Sequence, residues 1–113
     1  MSTEIMQAVV GKVVEELVNG NYDLLIQQYP ASRVTSEELH AVIRDYDRKL
    51  VLPPLNAYQN LDAVRVKNTN VPTWSVRAPL WTEDEGKSDL TLEMTIKLGS
   101  GSSSVEIDDL RVL

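Results

Sequence analysis

Residues 89–98 alternate without a fault. Leu90, Leu92, Met94, Ile96 and Leu98 share one parity, and Asp89, Thr91, Glu93, Thr95 and Lys97 share the other. A period of two over this length predicts a strand with one buried face and one wet face. Such strands belong to antiparallel sheets covered on one side. The chain around this strand must therefore supply a cover and sheet neighbours.

The cover is predicted before it. Ile5, Met6, Val9, Val10, Val13, Val14 and Leu17 recur at three- and four-residue spacing, which predicts a helix over 3–19 with one apolar stripe. Ser2 or Thr3 can cap its start, and Gly20 can turn left-handed at its end. Gly11 lies opposite much of the stripe, where a close helix crossing would use it. Asn21 stands at the cap of a short helix over 22–29, with Leu24 and Leu25 inward and Pro30 as its stop. Thr35 and Glu38 form a capping-box pair ahead of a third helix over 36–49. Leu39, Val42, Ile43 and Tyr46 line its inner face.

The sheet neighbours follow. Pro53-Pro54 ends the helical half, and 50–60 reads as an extended connector. Strands are predicted over 61–67, with Val64 and Val66 inward, and over 73–80, with Trp74, Val76, Ala78 and Leu80 inward. The central strand then spans 89–98. The run 99–104, GSGSSS, reads as a flexible hairpin tip. In the last strand, 105–113, Val105 and Ile107 alternate, then Leu110 and Val112 alternate in the opposite phase. The phase flips at Asp108-Asp109, which predicts a bulge there. Helices followed by strands predict an α+β fold, with three N-terminal helices packed on one face of a four-stranded antiparallel sheet. The whole of 1–113 reads as a single domain. At about 25 Å, the first helix is long enough to cross such a sheet.

Composition bounds the chemistry. With 113 residues and no cysteine, the chain must fold on its core alone, without disulfides, thiolate metal sites or a cysteine nucleophile. Glu4, Glu15 and Glu16 interrupt the N-terminal apolar residues, so neither a signal peptide nor a membrane span is expected, and a cytoplasmic location is. Seventeen acids against eleven bases give a net charge of −6, spread evenly with no basic run. Phosphate-backbone recognition of nucleic acid is not expected on that surface. The acidity serves solubility, or attracts a basic protein partner.

Candidate sites are few. The segment 81–88, read as a loop, holds Trp81, Glu83, Asp84 and Glu85, with Asp89 after it. Trp81 is out of phase with the inward residues of its strand. It stands on the polar face as an interface anchor, or folds over a sheet edge and packs. The three acids lack calcium-loop spacing. His40, the one histidine, has no metal or catalytic partner at a recognisable spacing. Asp108 and Asp109 suit an acid–base pair or a solvated bulge. No cofactor, metal or catalytic set is expected.

Two resemblances add to this reading. The element order, with Asn19-Gly20-Asn21-Tyr22-Asp23-Leu24-Leu25 joining the first two helices, resembles small SnoaL-like or nuclear-transport-factor-2-like (cystatin-like) proteins. That likeness implies a curved sheet around a long helix with a pocket between, for which Tyr22, His40, Tyr46 and Trp74 are the lining candidates. The stretch from Leu80 to Leu92, LWTEDEGKSDLTL, with Val105-Glu106-Ile107-Asp108-Asp109-Leu110, is similar to small uncharacterised bacterial proteins and implies no activity. The leading expectation is a bacterial, non-catalytic protein-binding module of immunity-protein type. The alternative is a small-molecule or catalytic pocket of SnoaL-like kind. A homodimer through the polar sheet face is compatible with both.

Overall fold

The computed structural model describes residues 2–99 and 102–113. Met1, Ser100 and Gly101, and the side chains of Ser2, Thr3, Ser102 and Ser103, lie outside what is described. The cap expected of Ser2 or Thr3 therefore lies outside it too. The element order is α1 (Ser2–Val18), α2 (Tyr22–Gln28), α3 (Ser36–Tyr46), β1 (Leu50–Val51), β2 (Asp62–Arg65), β3 (Thr73–Thr82), β4 (Gly86–Gly99) and β5 (Ser102–Val112). The fold is α+β with a curled antiparallel sheet. Described strands number five rather than the expected four, in the path β1-β3-β4-β5 with β2 also on β3.

β1 and β2 occupy one lane. β1 pairs with Trp81 and Thr82, and β2 pairs with Trp74 to Arg77, both antiparallel. The connector 52–61 leaves that lane and re-enters it, so Ala78, Pro79 and Leu80 have no strand partner on that side. Pro79 has no N–H to leave unpaired there. Its carbonyl accepts from the Tyr58 hydroxyl at 3.1 Å. β1 escaped the sequence reading because a strand of two residues carries no periodicity.

The central alternation holds. Leu90, Leu92, Met94 and Ile96 are buried, as are Val76 and Ala78 of β3 and Val105, Ile107 and Leu110 of β5 beside them. Their cluster also contains Met6, Val10, Val13, Val14 and Leu17 of α1, Leu25 of α2 and Leu39 of α3. Ile5 and Leu24, expected inward, are 48% and 46% exposed. In β2 the expected phase is reversed. Pairing sets Ala63 opposite Val76 on the dry face and Val64 opposite Ser75 on the wet one, leaving Val64 63% exposed. Two valines alternating in a short edge segment did not define its phase; the register against β3 did.

Two irregularities shape the sheet. Ile107 pairs with Met94 and Asp109 with Glu93, so Asp108 is the extra residue of the expected bulge. The bulge returns Leu110 to the dry face. The second was not expected. Between the pairs Pro79–Thr91 and Trp81–Lys87, β3 spends Leu80 alone while β4 spends Ser88, Asp89 and Leu90. Ser88 repairs the ladder with its side chain: its hydroxyl donates to the Leu80 carbonyl at 2.8 Å and accepts from Leu90 N–H at 3.2 Å.

The segment 81–88 is therefore not a loop. Trp81 and Thr82 continue β3, Gly86 to Ser88 begin β4, and only Glu83, Asp84 and Glu85 turn. Gly86 closes the turn at φ +72°, a conformation glycine adopts without strain. Strand runs to Gly99 and resumes at Ser102, within the stretch 99–104 expected as a hairpin tip.

Helix ends follow local chemistry. Thr35 and Glu38 make both bonds of the capping box. α3 stops at Tyr46, short of the expected Lys49, because Asp47 takes a left-handed φ of 54° and returns its N–H to Ile43 and Arg44. Gly20 ends α1 at φ 76°. Asn21 holds the cap position of α2 without a side-chain bond. A Cβ on Gly11 would meet nothing within 4 Å, so no close crossing uses it.

A candidate binding cleft on the polar sheet face

The wet face of the sheet is a lattice of charge pairs. Arg77 meets Glu93 at 3.0 Å, and Arg111 meets the same carboxylate at 3.2 Å. Lys97 meets Glu106 at 3.2 Å. Asp108 accepts from Thr95 at 2.6 Å and lies 3.7 Å from Arg33. Cross-strand register puts the strand partners side by side, and Arg33 reaches Asp108 from the segment before α3. Asp108 and Asp109 thus serve the bulge and its neighbours, Asp109 also accepting from Leu110 N–H at 2.9 Å.

The acidic turn is tied down from α3. Arg48 lies 2.6 Å from Asp84 and 3.7 Å from Glu85, and Lys49 lies 3.8 Å from Glu83. The Tyr46 hydroxyl sits 2.9 and 3.0 Å from the two oxygens of Glu85, donating to that carboxylate. Burial pushes the Tyr46 phenol upward, and its bond to Glu85 adds to the shift. Thr82 completes the clamp, donating to Glu85 at 2.9 Å and accepting from Glu85 N–H at 3.2 Å. The structure brings Glu83, Asp84 and Glu85 together with the end of α3, and each faces a cation.

Trp81 and Asp89 lie elsewhere, in a cleft of about 340 Å³ on the wet face. Trp81 is half-buried and pairs with Lys87 across the ladder. A Cβ on Gly86 would sit 3.6 Å from its ring, an ordinary contact. Pro79, Ser88 and Thr91 also line the cleft from β3 and β4; Tyr58, Asn60 and Leu61 line it from the connector. Asp62, Arg77, Lys87 and Asp89 bring charge to it. Sequence reasoning missed Tyr58, Asp62 and Lys87. The available signal was the polar parity that Lys87 shares with Arg77 and Asp89, together with one aromatic in the connector LVLPPLNAYQN; Asp62 shares the parity of Val64 and Val66 and carried no such signal.

The four pocket candidates are not brought into one cavity. Tyr22 and His40 stack with centroids 5.5 Å apart, beside a shallow hollow of about 170 Å³ that they line with Asp23 and Glu37. Tyr46 lines a separate depression with Val42 and Leu110. Trp74 lies on β3 under the Arg65 guanidinium, which is 5.8 Å from its ring centroid. Among the described residues no group of three or more His, Asp or Glu side chains could hold a metal ion. Among them, too, no helix is long and apolar enough to cross a membrane.

Fold and cleft define a small α+β protein with a wet sheet face that is charge-paired except at one aromatic hollow. Residues 14–113 match the family described as a domain of unknown function, DUF7668, and the chain belongs to that family. The LWTEDEGKSDLTL stretch falls within the match. No curated protein matches the chain. No solved structure matches it either, so the SnoaL-like likeness gains no support from a structural neighbour.

Proposed function

We propose that this chain is a non-catalytic protein-binding module of a bacterial cytoplasm, acting as an immunity protein does, with its acidic surface meeting a basic partner. In this reading the helices cover one face of the sheet and the partner meets the other. The observation that carries it is Trp81, a large aromatic held half-buried on the polar face at the rim of an open cleft. Buried aromatic anchors ringed by polar groups dominate protein interfaces. The net charge of −6 supplies long-range attraction for a basic partner. Asp89 belongs to the contact. Glu83, Asp84 and Glu85 form its rim, their charges partly offset by Arg48 and Lys49.

The test is purification of the tagged chain from its native cells at low ionic strength. Wild type, Trp81→Ala and Asp84→Asn are run side by side. The expected result is a stoichiometric basic protein retained by wild type and Asp84→Asn, lost from Trp81→Ala, and released by about 0.5 M salt. Retention of that protein by Trp81→Ala, or no stoichiometric partner at all, overturns the reading.

A further inference from the structure

The wet face leaves two carboxylates without an ion partner among the described residues, and both line the Trp81 cleft. Glu93, Glu106, Asp108 and Asp109 each lie within 4 Å of an arginine or lysine. Asp62 and Asp89 do not, and both are exposed. Arg77, which shares the cleft, is already committed to Glu93 at 3.0 Å. The cleft therefore presents an aromatic ring and two carboxylates that make no ion pair within 4 Å, although Arg77 stands cross-strand from Asp62.

Resting on the binding-module reading, we propose that this cleft takes a cationic side chain of the partner, an arginine or lysine, laid on the Trp81 ring and held by Asp89 and Asp62. A cation is attracted to an aromatic face by the ring quadrupole, and a guanidinium also stacks on it. The protein already makes this contact once, where Arg65 covers Trp74 at 5.8 Å. At about 340 Å³ the cleft has room for one long side chain and its flanking backbone.

Lys87 decides between ligand chemistries. It lines the cleft and has no acid partner among the described residues. Against a cationic ligand it is repulsive, and its flexible stem must swing aside. Against a carboxylate or a zwitterion it would be the attractive group. The sign of the Lys87→Gln effect therefore separates the two.

The experiment titrates the isotope-labelled chain with a blocked Gly-Arg-Gly peptide amide, its citrulline analogue and its glutamate analogue, each to about 10 mM, the range of millimolar affinity. The readout is the Trp81 indole N–H resonance, assigned with a Trp74→Phe variant. The arginine peptide should shift the Trp81 signal, and the other two should not. Asp89→Asn and Asp62→Asn should each weaken binding by about two- to fivefold, the range for an exposed ion pair. Lys87→Gln should strengthen it by a similar factor. A silent arginine titration, an equal response to citrulline, binding of the glutamate peptide or weaker binding by Lys87→Gln each overturns the proposal. A partner captured through Trp81 alongside a silent titration removes the cation chemistry alone. A peptide response with no captured partner removes the binding-module reading instead.

Discussion

The Tyr58 hydroxyl donates to the Pro79 carbonyl at 3.1 Å, bridging the gap that β1 and β2 leave along β3. Tyr58 is 8% exposed. Burial pushes its phenol from 10.0 up to about 12. Between those values the folded protein holds a proton that the unfolded chain has released. Stability from Tyr58 is therefore complete below pH 10 and is lost as pH rises toward about 12. Two pH units of linkage amount to roughly 2–3 kcal/mol. Chemical denaturation of wild type should show this decline over that window. Tyr58→Phe should be destabilised by about 1 kcal/mol at neutral pH, because it leaves a partly buried carbonyl without this partner. The difference between the two proteins should narrow as pH rises through the window. A residual slope in the variant is expected from Tyr22, Tyr29 and Tyr46, whose phenols burial also raises.

Gly11 should be replaceable with profit. It lies in the middle of α1, and the space an alanine methyl would enter is open for 4 Å around. Alanine lowers the entropy of the unfolded chain and suits a helix interior better by up to ~1 kcal/mol. Gly11→Ala should raise the thermal midpoint by a few degrees, as read by circular dichroism. A fall would mean that a crossing does use the position.

Asp47 holds a left-handed φ of 54° at the end of α3. Glycine tolerates that conformation better than a residue with a Cβ. Asp47→Gly should therefore be neutral or stabilising by up to ~1 kcal/mol. Asp47→Val should be clearly destabilising, since a branched side chain resists this backbone region. Urea denaturation of the two variants checks both signs.

Ser88 carries two ladder bonds on one buried hydroxyl. Ser88→Ala orphans the Leu80 carbonyl and the Leu90 N–H together. A loss of about 1–3 kcal/mol follows, large for so small a change. Hydrogen exchange at Leu90 should accelerate beyond the global effect, because that amide loses its own acceptor.

The sheet's centre and the helices were legible because they rest on long periodic runs. The Leu90 to Ile96 alternation, the α1 stripe and the Thr35–Glu38 box each repeat or pair a signal that local physics reads directly. The Asp108 bulge was legible for the same reason, as a break in phase. What was not legible depends on pairing. Val64 faces solvent because Ser75 stands opposite it. The turn at Glu83 to Glu85 looked like an open loop because its partners, Tyr46, Arg48 and Lys49, stand far earlier in the chain, at the end of α3. Of the site, Trp81 and Asp89 could be named from parity and charge. The cleft itself could not, since its wall is a connector whose course no periodicity dictates.

The connector 52–61 departs from a lane of the sheet and comes back to the same lane. Its length is thus uncoupled from the strand alignment, which β3 fixes at both ends. Loop closure grows costlier only slowly with added residues. This segment is therefore where a foreign peptide could be grafted while the sheet keeps its frame. Such a graft would reshape one wall of the Trp81 cleft and leave its floor in place.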